Sequence, residues 1–259
     1  MNGLSRAGAA PYHSRMVAIL LIGDEILSAS VREANLHLML TRLVEIGYEV
    51  GEVRIVRDEP AEIVGAFRAL RERYEYVLSA GGIGPTHDDM TLSAAAEAFG
   101  ARVERNETML EFLKSRYGEP LSPMVAQMAD LPESTEVLGC EEGRWPLIRW
   151  HNVFILPGLP RALEDKMSRL VAVLPQRGHT WQAELYLSAD ESVFADWLAG
   201  VQTKLDGVAV GSYPVAGEYD YRSRLVVRGL DRDRVRSALA RLREHVSSAG
   251  WLVREGGDA

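Results

Sequence analysis

The chain has 259 residues, 47% of them hydrophobic and 25% charged, enough to bury a full core and to divide into two domains. Its formal net charge of −8 excludes nonspecific attachment to a nucleic-acid backbone, which needs a basic face that releases counterions, and no apolar run has the length of a membrane span. A single cysteine, Cys140, excludes an internal disulfide, and the six histidines stand at no metal-ligand spacing, so structural zinc is excluded and a reducing, cytoplasmic location is expected.

Residues 1–15, rich in Gly, Ala and Ser, read as a disordered tail. The apolar run 16–22 ends at Gly23 and predicts a buried parallel strand, because both faces of such a strand are covered by helices. Asn35 then precedes Leu36, Met39, Leu40, Leu43 and Ile46, a helical stripe with a polar cap at its start and Gly47 at its end. A strand over 49–56, a helix from Pro60 through Ile63, Phe67 and Leu70, and a strand over 76–79 continue the alternation that implies a parallel sheet. A Gly-rich segment over 80–89 leads into a helix over 90–99 closed by Gly100, and a second helix covers 107–117. The stretch 120–146 reads as loop. A strand over 152–156 runs into Pro157-Gly158-Leu159-Pro160, and a helix to about residue 170 completes a domain over 16–175. Beyond a linker at 175–180, strand 183–188, helix 191–205, strands 208–213 and 221–228, helix 231–248 and strand 251–254 give a βαββαβ order over 181–259. The class expected is α/β with a mainly parallel sheet, followed by a small α+β domain.

The segment Ser79-Ala-Gly-Gly-Ile-Gly-Pro-Thr-His-Asp-Asp-Met-Thr91 carries the strongest chemical signal. Gly81, Gly82 and Gly84 permit positive φ and let backbone N–H groups approach an anion, and the next helix points its positive end at the same place. Neither a P-loop lysine nor the dinucleotide Gly-x-Gly-x-x-Gly spacing is present. A second reading is structural: Thr86 and Asp89 form a capping box and the glycines make a tight turn. Spacing alone leaves both open. Asp88 and Asp89 beside a phosphate need a cation between them, and Mg²⁺ held by one or two carboxylates and by ligand phosphates is the usual arrangement. Asp24, Glu25 and Asp58 also stand at the ends of predicted strands, so five carboxylates converge on one sheet edge in this reading.

Gly23-Asp24-Glu25-Ile26-Leu27, Asn35, Arg57-Asp58-Glu59-Pro60, Gly81-Gly82-Ile83-Gly84-Pro85-Thr86-x-Asp88-Asp89-x-Thr91, 127–132 and Leu156-Pro157-Gly158-Leu159-Pro160 match, in order, the motifs of one family. Over about residues 17–170 the chain resembles the MoaB/Mog molybdopterin-binding domains, and within them the amino-terminal part of the competence-damage-inducible CinA proteins. The resemblance implies a three-layer α/β/α fold and a homo-oligomer. It also implies a site for a small phosphorylated ligand, molybdopterin-like or a nucleotide, on Gly81, Gly82, Gly84, Pro85 and Thr86, with Asp24, Glu25, Asn35, Pro157 and Gly158 around it. In the adenylyl-transferring Mog branch two required aspartates fall on Asp58 and Asp89. In the CinA branch the domain resembles a metal-dependent pyrophosphatase for ADP-ribose-like nucleotides, and a related domain of FAD synthases is also a hydrolase. The catalytic expectation is therefore Asp58 and Asp89, with Mg²⁺ or another divalent cation on Asp58, Asp88 and Asp89.

This chain departs from the family where Cys140-Glu-Glu-Gly143-Arg-Trp145-Pro146-Leu147 replaces Asn-x-x-Gly-x-Ala-Pro-Gly, where Ala162 replaces a carboxylate, and where Ala29 replaces a glycine. Three readings stay open: nucleotide pyrophosphate hydrolysis, a non-catalytic ligand carrier, and adenylyl transfer to molybdopterin in cofactor biosynthesis. Trp145 either stacks on a flat ligand ring or covers core residues. His87 reads as an exposed loop residue, and Cys140 as an inert thiol. The second domain has no Gly-rich loop, and its helix arginines Arg232, Arg234, Arg236, Arg241 and Arg243 read as a solvated face.

Overall fold

The computed structural model describes residues 16–140, 144–217 and 219–258, so the expected tail at 1–15 and positions 141–143 of the altered loop lie outside the described residues. The chain divides into two compact units, one holding residues up to 44 and 48–176, the other 45–47 and 177 onward.

The first unit runs β1 (Met16–Ile22), α1 (Asp24–Leu27), α2 (Asn35–Glu45), β2 (Glu49–Val56), α3 (Pro60–Arg71), β3 (Tyr76–Ala80), α4 (Thr91–Phe99), β4 (Val103–Arg105), α5 (Glu107–Tyr117), α6 (Pro123–Gln127), β5 (Asp130–Pro132), β6 (Glu136–Leu138), β7 (Leu147–Trp150), β8 (Val153–Leu156) and α7 (Pro160–Val173). Its main sheet has the order β2-β1-β3-β8-β7-β6. The β1–β2, β1–β3 and β3–β8 pairings are parallel, whereas β7 and β6 are antiparallel additions. As the apolar run of β1 requires, residues 17–22 are buried throughout, and successive side chains serve opposite layers. Ala18, Leu20 and Ile22 join a core with Ile63, Phe67 and Leu70 of α3 and with alanines of α4. The other layer holds the buried residues Met39 and Leu43 of α2 and Leu163, Met167 and Leu170 of α7. The fold is thus the expected α/β/α arrangement with a mostly parallel sheet.

Three expectations need correction. The stretch 120–146 is not a loop throughout, because α6, β5 and β6 lie within it, and β7 lies just beyond. These strands have only three or four residues and form through distant partners, β4 with β5 and β6 with β7, so no periodicity announces them. Asn35 is not the cap of α2. It is the first helical residue, and the Glu33 carboxylate accepts the N–H groups of Asn35 at 2.6 Å and Leu36 at 2.9 Å. Thr86 and Asp89 do bond to one another, but in a turn ahead of α4 and not as its cap, which is Met90 without a side-chain bond.

The second unit comprises β9 (Trp181–Leu187), α8 (Glu191–Gln202), β10 (Val208–Pro214), β11 (Ser223–Gly229), α9 (Arg232–Ser248) and β12 (Leu252–Gly257). Its antiparallel sheet has the order β10-β11-β9-β12, the split arrangement expected from βαββαβ. Val235, Ala238, Leu242 and Val246 of α9 are buried against this sheet, while the five arginines face solvent. Among the described residues no helix is long and apolar enough to cross a membrane.

Phe67 is fully buried and meets Phe99 edge to face at 5.5 Å, and Phe99 stacks on Trp150 at 3.9 Å. Truncating it opens a cavity in a close-packed layer, so Phe67→Ala is expected to cost about 3–5 kcal/mol in urea-induced unfolding of the first unit. A loss below about 1 kcal/mol would show that this layer is loosely packed.

Candidate functional site

The ends of three adjacent parallel strands meet at Gly81. Its N–H donates to the Leu156 carbonyl of β8 at 3.1 Å, its φ is +115°, and a Cβ on it would lie 2.1 Å from the Ile22 carbonyl of β1. Gly158 crosses the same point, where its own Cβ would stand 3.3 Å from Gly81 Cα. Gly82, at φ +63°, makes room for Thr91, whose hydroxyl donates to the Gly81 carbonyl at 2.9 Å and whose N–H donates to the Gly82 carbonyl at 2.9 Å. The first residue of α4 thereby clasps the loop against the strand ends. Gly84 is a different case, with no positive φ: a Cβ there would stand 2.6 Å from Asp89 Oδ2, so glycine is needed for the carboxylate's approach.

The carboxylates do not all converge. Asp58 Oδ2 accepts the Asp24 N–H at 2.8 Å, but the Asp24 side chain turns to Arg57, at 3.0 Å, and that guanidinium holds the Asp24 carboxyl below its ordinary range. Asp89 Oδ2 accepts both the N–H, at 2.8 Å, and the hydroxyl of Thr86, at 2.5 Å. Burial pushes the Asp58 carboxyl up from its ordinary value, and the negative charges of Glu25, Asp24 and Asp88 push it further, outweighing the Asp24 N–H. Asn35 reaches across to donate from Nδ2 to the Gly158 carbonyl at 2.7 Å. It therefore ties α2 to the Pro157-Gly158 turn.

These elements enclose a cavity of about 620 Å³ at the carboxyl edge of the sheet. Its lining combines Gly81, Gly82, Gly84 and the acids Glu25, Asp58, Asp88 and Asp89. It also includes the apolar residues Leu92, Met109, Met128, Ile148, Ile155 and Trp145. Pro85, Pro157 and Gly158 also line it, whereas Asp24, Asn35 and Thr86 support the lining residues from behind. Trp145 packs on the core as one of its two readings foresaw, meeting Phe112 edge to face at 5.0 Å, and it also lines the cavity. His87 is exposed, and Cys140 is half-buried against the core.

Lys166 gave no signal in the sequence. It sits in the second turn of α7, is only 3% exposed, and lines the cavity, with Nζ donating to the carbonyls of Pro146 at 2.6 Å and of Trp145. Burial, reinforced by the neighbouring Arg169 charge, pulls its pKa down to about 7. Only the tertiary placement of β7 beside α7 brings those carbonyls to it, so spacing along the chain could not have found it.

The carboxylates of the cavity would hold a divalent cation only together with a ligand. Among the described residues no three His, Cys, Asp or Glu side chains form a ready cage. Asp58, Asp88 and Asp89 nevertheless line one space with Glu25, and the repulsion registered at Asp58 is the imbalance a cation would relieve. This suits an ion shared between protein carboxylates and ligand phosphates.

Comparison with known proteins agrees with this architecture. The family described as "Probable molybdopterin binding domain" matches residues 18–176, and that described as "FAD synthase, middle domain" matches 179–254. A "Probable FAD synthase" of Caenorhabditis elegans is 27% identical over 280 residues, covering 98% of this chain and 53% of that protein. A "CinA-like protein" of Myxococcus xanthus is 34% identical over 173 residues, covering 62% of this chain and 41% of that protein. The crystal structure of the protein CinA, of unknown function, from Thermoplasma acidophilum superposes with a TM-score of 0.56 at 31% identity, covering 61% of this chain and 98% of that one. The chain spans about half the length of the FAD synthase relative it matches.

Two outcomes follow from the geometry. Gly81→Ala should lower stability by about 3 kcal/mol or more, because its Cβ cannot coexist with the Ile22 carbonyl, whereas Gly65→Ala, in α3 with nothing near the added methyl, should raise it by about 1 kcal/mol. Denaturant melts of both variants measure this. In buffer with EDTA at pH 7, Asp58→Asn should raise the thermal midpoint by removing a charge that burial and its neighbours disfavour. A lowered midpoint would mean that the Asp24 N–H contact outweighs the repulsion.

Proposed function

We propose, because the chain belongs to the molybdopterin-binding domain family through residues 18–176, that it is a CinA-type enzyme hydrolysing the pyrophosphate bond of an ADP-ribose- or FAD-like nucleotide with a divalent cation. The observation that carries this reading is the mixed lining of the cavity. Glycine backbone suited to an anion and carboxylates that need charge compensation share it with apolar residues suited to a flat heterocycle. A phosphoanhydride joined to a ring has that same division of chemistry. The match of the second unit to the FAD synthase middle domain supports a nucleotide in preference to a bare pterin.

In this reading the backbone around Gly82 and Gly84 binds the phosphates and takes up charge developing on their oxygens. Asp58, Asp88 and Asp89 would hold the cation, which supplies further neutralisation at the phosphoryl oxygens when bound. Asp58 orients the attacking water and accepts its proton as oxygen bonds to phosphorus and the anhydride bond breaks. Asp89 keeps the loop's Thr86 N–H and hydroxyl in register. The apolar lining residues and Trp145 exclude water from the ring. A single cysteine, which forms no internal disulfide, supports a cytoplasmic location in this reading.

One observation favours a second reading, a carrier without turnover: the Asp89 carboxylate is already engaged by Thr86, and Ala162 lines the cavity where the resembling family has a carboxylate. A hydrolysis screen of ADP-ribose, FAD, NAD and ATP with Mg²⁺, Mn²⁺ or Co²⁺ separates the two. The expected result is AMP release from ADP-ribose or FAD that EDTA abolishes, with Asp58→Asn lowering kcat/KM by about 100-fold or more. Unchanged hydrolysis and affinity in Asp89→Asn would remove that residue from the shared cation. ADP-ribose that binds with no product under any of the three ions would establish the carrier.

A further inference from the structure

Three of the 29 basic residues are lysines, Lys114, Lys166 and Lys204. Lys114 is a surface residue paired with Glu119 at 2.9 Å, and Lys204 is exposed. In a chain that otherwise uses arginine, the buried basic position on the cavity wall holds the side chain that is able to lose its proton, which arginine is not.

The surroundings of Nζ define its valences. Two carbonyls, of Trp145 and Pro146, accept from it, and among the described residues no further hydrogen-bond partner is present on the remaining side, where Lys166 lines the cavity. An amine with two hydrogens satisfies both carbonyls and has a lone pair over. An ammonium would add a buried charge without a carboxylate in contact, which burial strongly disfavours. Arg169, one turn on, donates to the Trp145, Leu138 and Gly139 carbonyls and places a second positive charge close by. The other titratable groups around this place are Asp165 on the same helix, Cys140 after β6, and in the same cavity lining Tyr117, Glu25, Asp58, Asp88 and Asp89. Asp165 is drawn towards Arg144, at 3.8 Å, and Arg169, at 3.9 Å. A pKa pulled down to about 7 agrees with this balance.

We propose that Lys166 is a neutral amine that turns its lone pair into the cavity and accepts a hydrogen bond from the N–H edge of the ligand's heterocycle, such as the amino group of adenine or a pterin. The ligand part rests on the reading given under Proposed function, whereas the amine part stands alone. Lys166 is thus a positioning residue for the ring, and the glycine loop positions the phosphates.

Two measurements on the intact protein decide the amine part. With isotope-labelled lysine, three Nζ resonances are followed against pH. One should titrate near 7 and be missing in Lys166→Arg. Brief treatment with acetic anhydride at pH 7.5, mapped by mass spectrometry of unmutated protein, then tests the lone pair's access. The amine nitrogen attacks the anhydride carbonyl, a C–N bond forms, acetate leaves and the proton passes to water. Lys166 should acetylate about tenfold faster than Lys114 or Lys204. If no lysine resonance titrates near 7, or if Lys166 titrates near 7 and resists acetylation, the proposal is overturned. For the ligand part, Lys166→Met should raise KM for ADP-ribose about tenfold with kcat within twofold. It should also abolish the wild type's preference for ADP-ribose over its hypoxanthine analogue, which lacks the amino group. An unchanged KM and preference would overturn the ring contact. Absence of all turnover would instead strike the hydrolase reading, with titration and acetylation still deciding the amine.

Discussion

Everything in the first unit is arranged around a backbone contact too close for any side chain. At Gly81 the chain passes beneath the Ile22 carbonyl, bonds to Leu156 and is crossed by Gly158, so that β1, β3 and β8 end in one small volume. Parallel strands diverge in twist, and loops leaving their carboxyl ends normally spread apart. Here the absence of two Cβ atoms lets three of those loops meet. The cavity exists because the loops meet low, and the helix start at Thr91 is fixed there by its bonds to the Gly81 and Gly82 carbonyls.

Two electrostatic problems follow from gathering strand ends in this way. Asp24, Glu25, Asp58 and Asp88 are brought near one another, and the fold solves this only in part: Arg57 neutralises Asp24, while Asp58 keeps a carboxyl disfavoured as an anion. The buried Lys166 also lines the cavity and forms no ion pair with these acids, its Nζ donating to the carbonyls of Trp145 and Pro146. Such uncompensated groups lower stability, and their clustering around one cavity is what a binding site gives up in exchange for affinity.

The sequence made the parallel half of this structure legible because its signals are local. An apolar run, a glycine stop and a helical stripe lie within one element each, and the strand bounds of β1 and β2 and the bounds of α5 agree with the structure to the residue. The glycine loop and its aspartates could be placed at the carboxyl edge for the same reason. What stayed hidden depends on distant partners. The short β6 and β7 are strands only because each lies beside the next, and Asn35 finds its bond at Gly158, 123 residues away. Lys166 looks like any polar position of an amphipathic helix until β7 is laid against it. Ala29 is an instructive intermediate: its φ of +57° explains why the resembling family uses glycine there, a cost this chain carries in a non-glycine residue.

The cavity lining is built on different kinds of scaffold. Its glycines rest on the central parallel strands, where a change would disturb the contact at Gly81. Trp145 and Pro146 lead into the antiparallel strand β7 towards the sheet's margin. Marginal strands tolerate substitution that central ones do not. Descent with modification could therefore reshape the part of the lining that this hairpin carries while leaving the glycine turn untouched, so that one scaffold comes to accept different ligands by rewriting a hairpin.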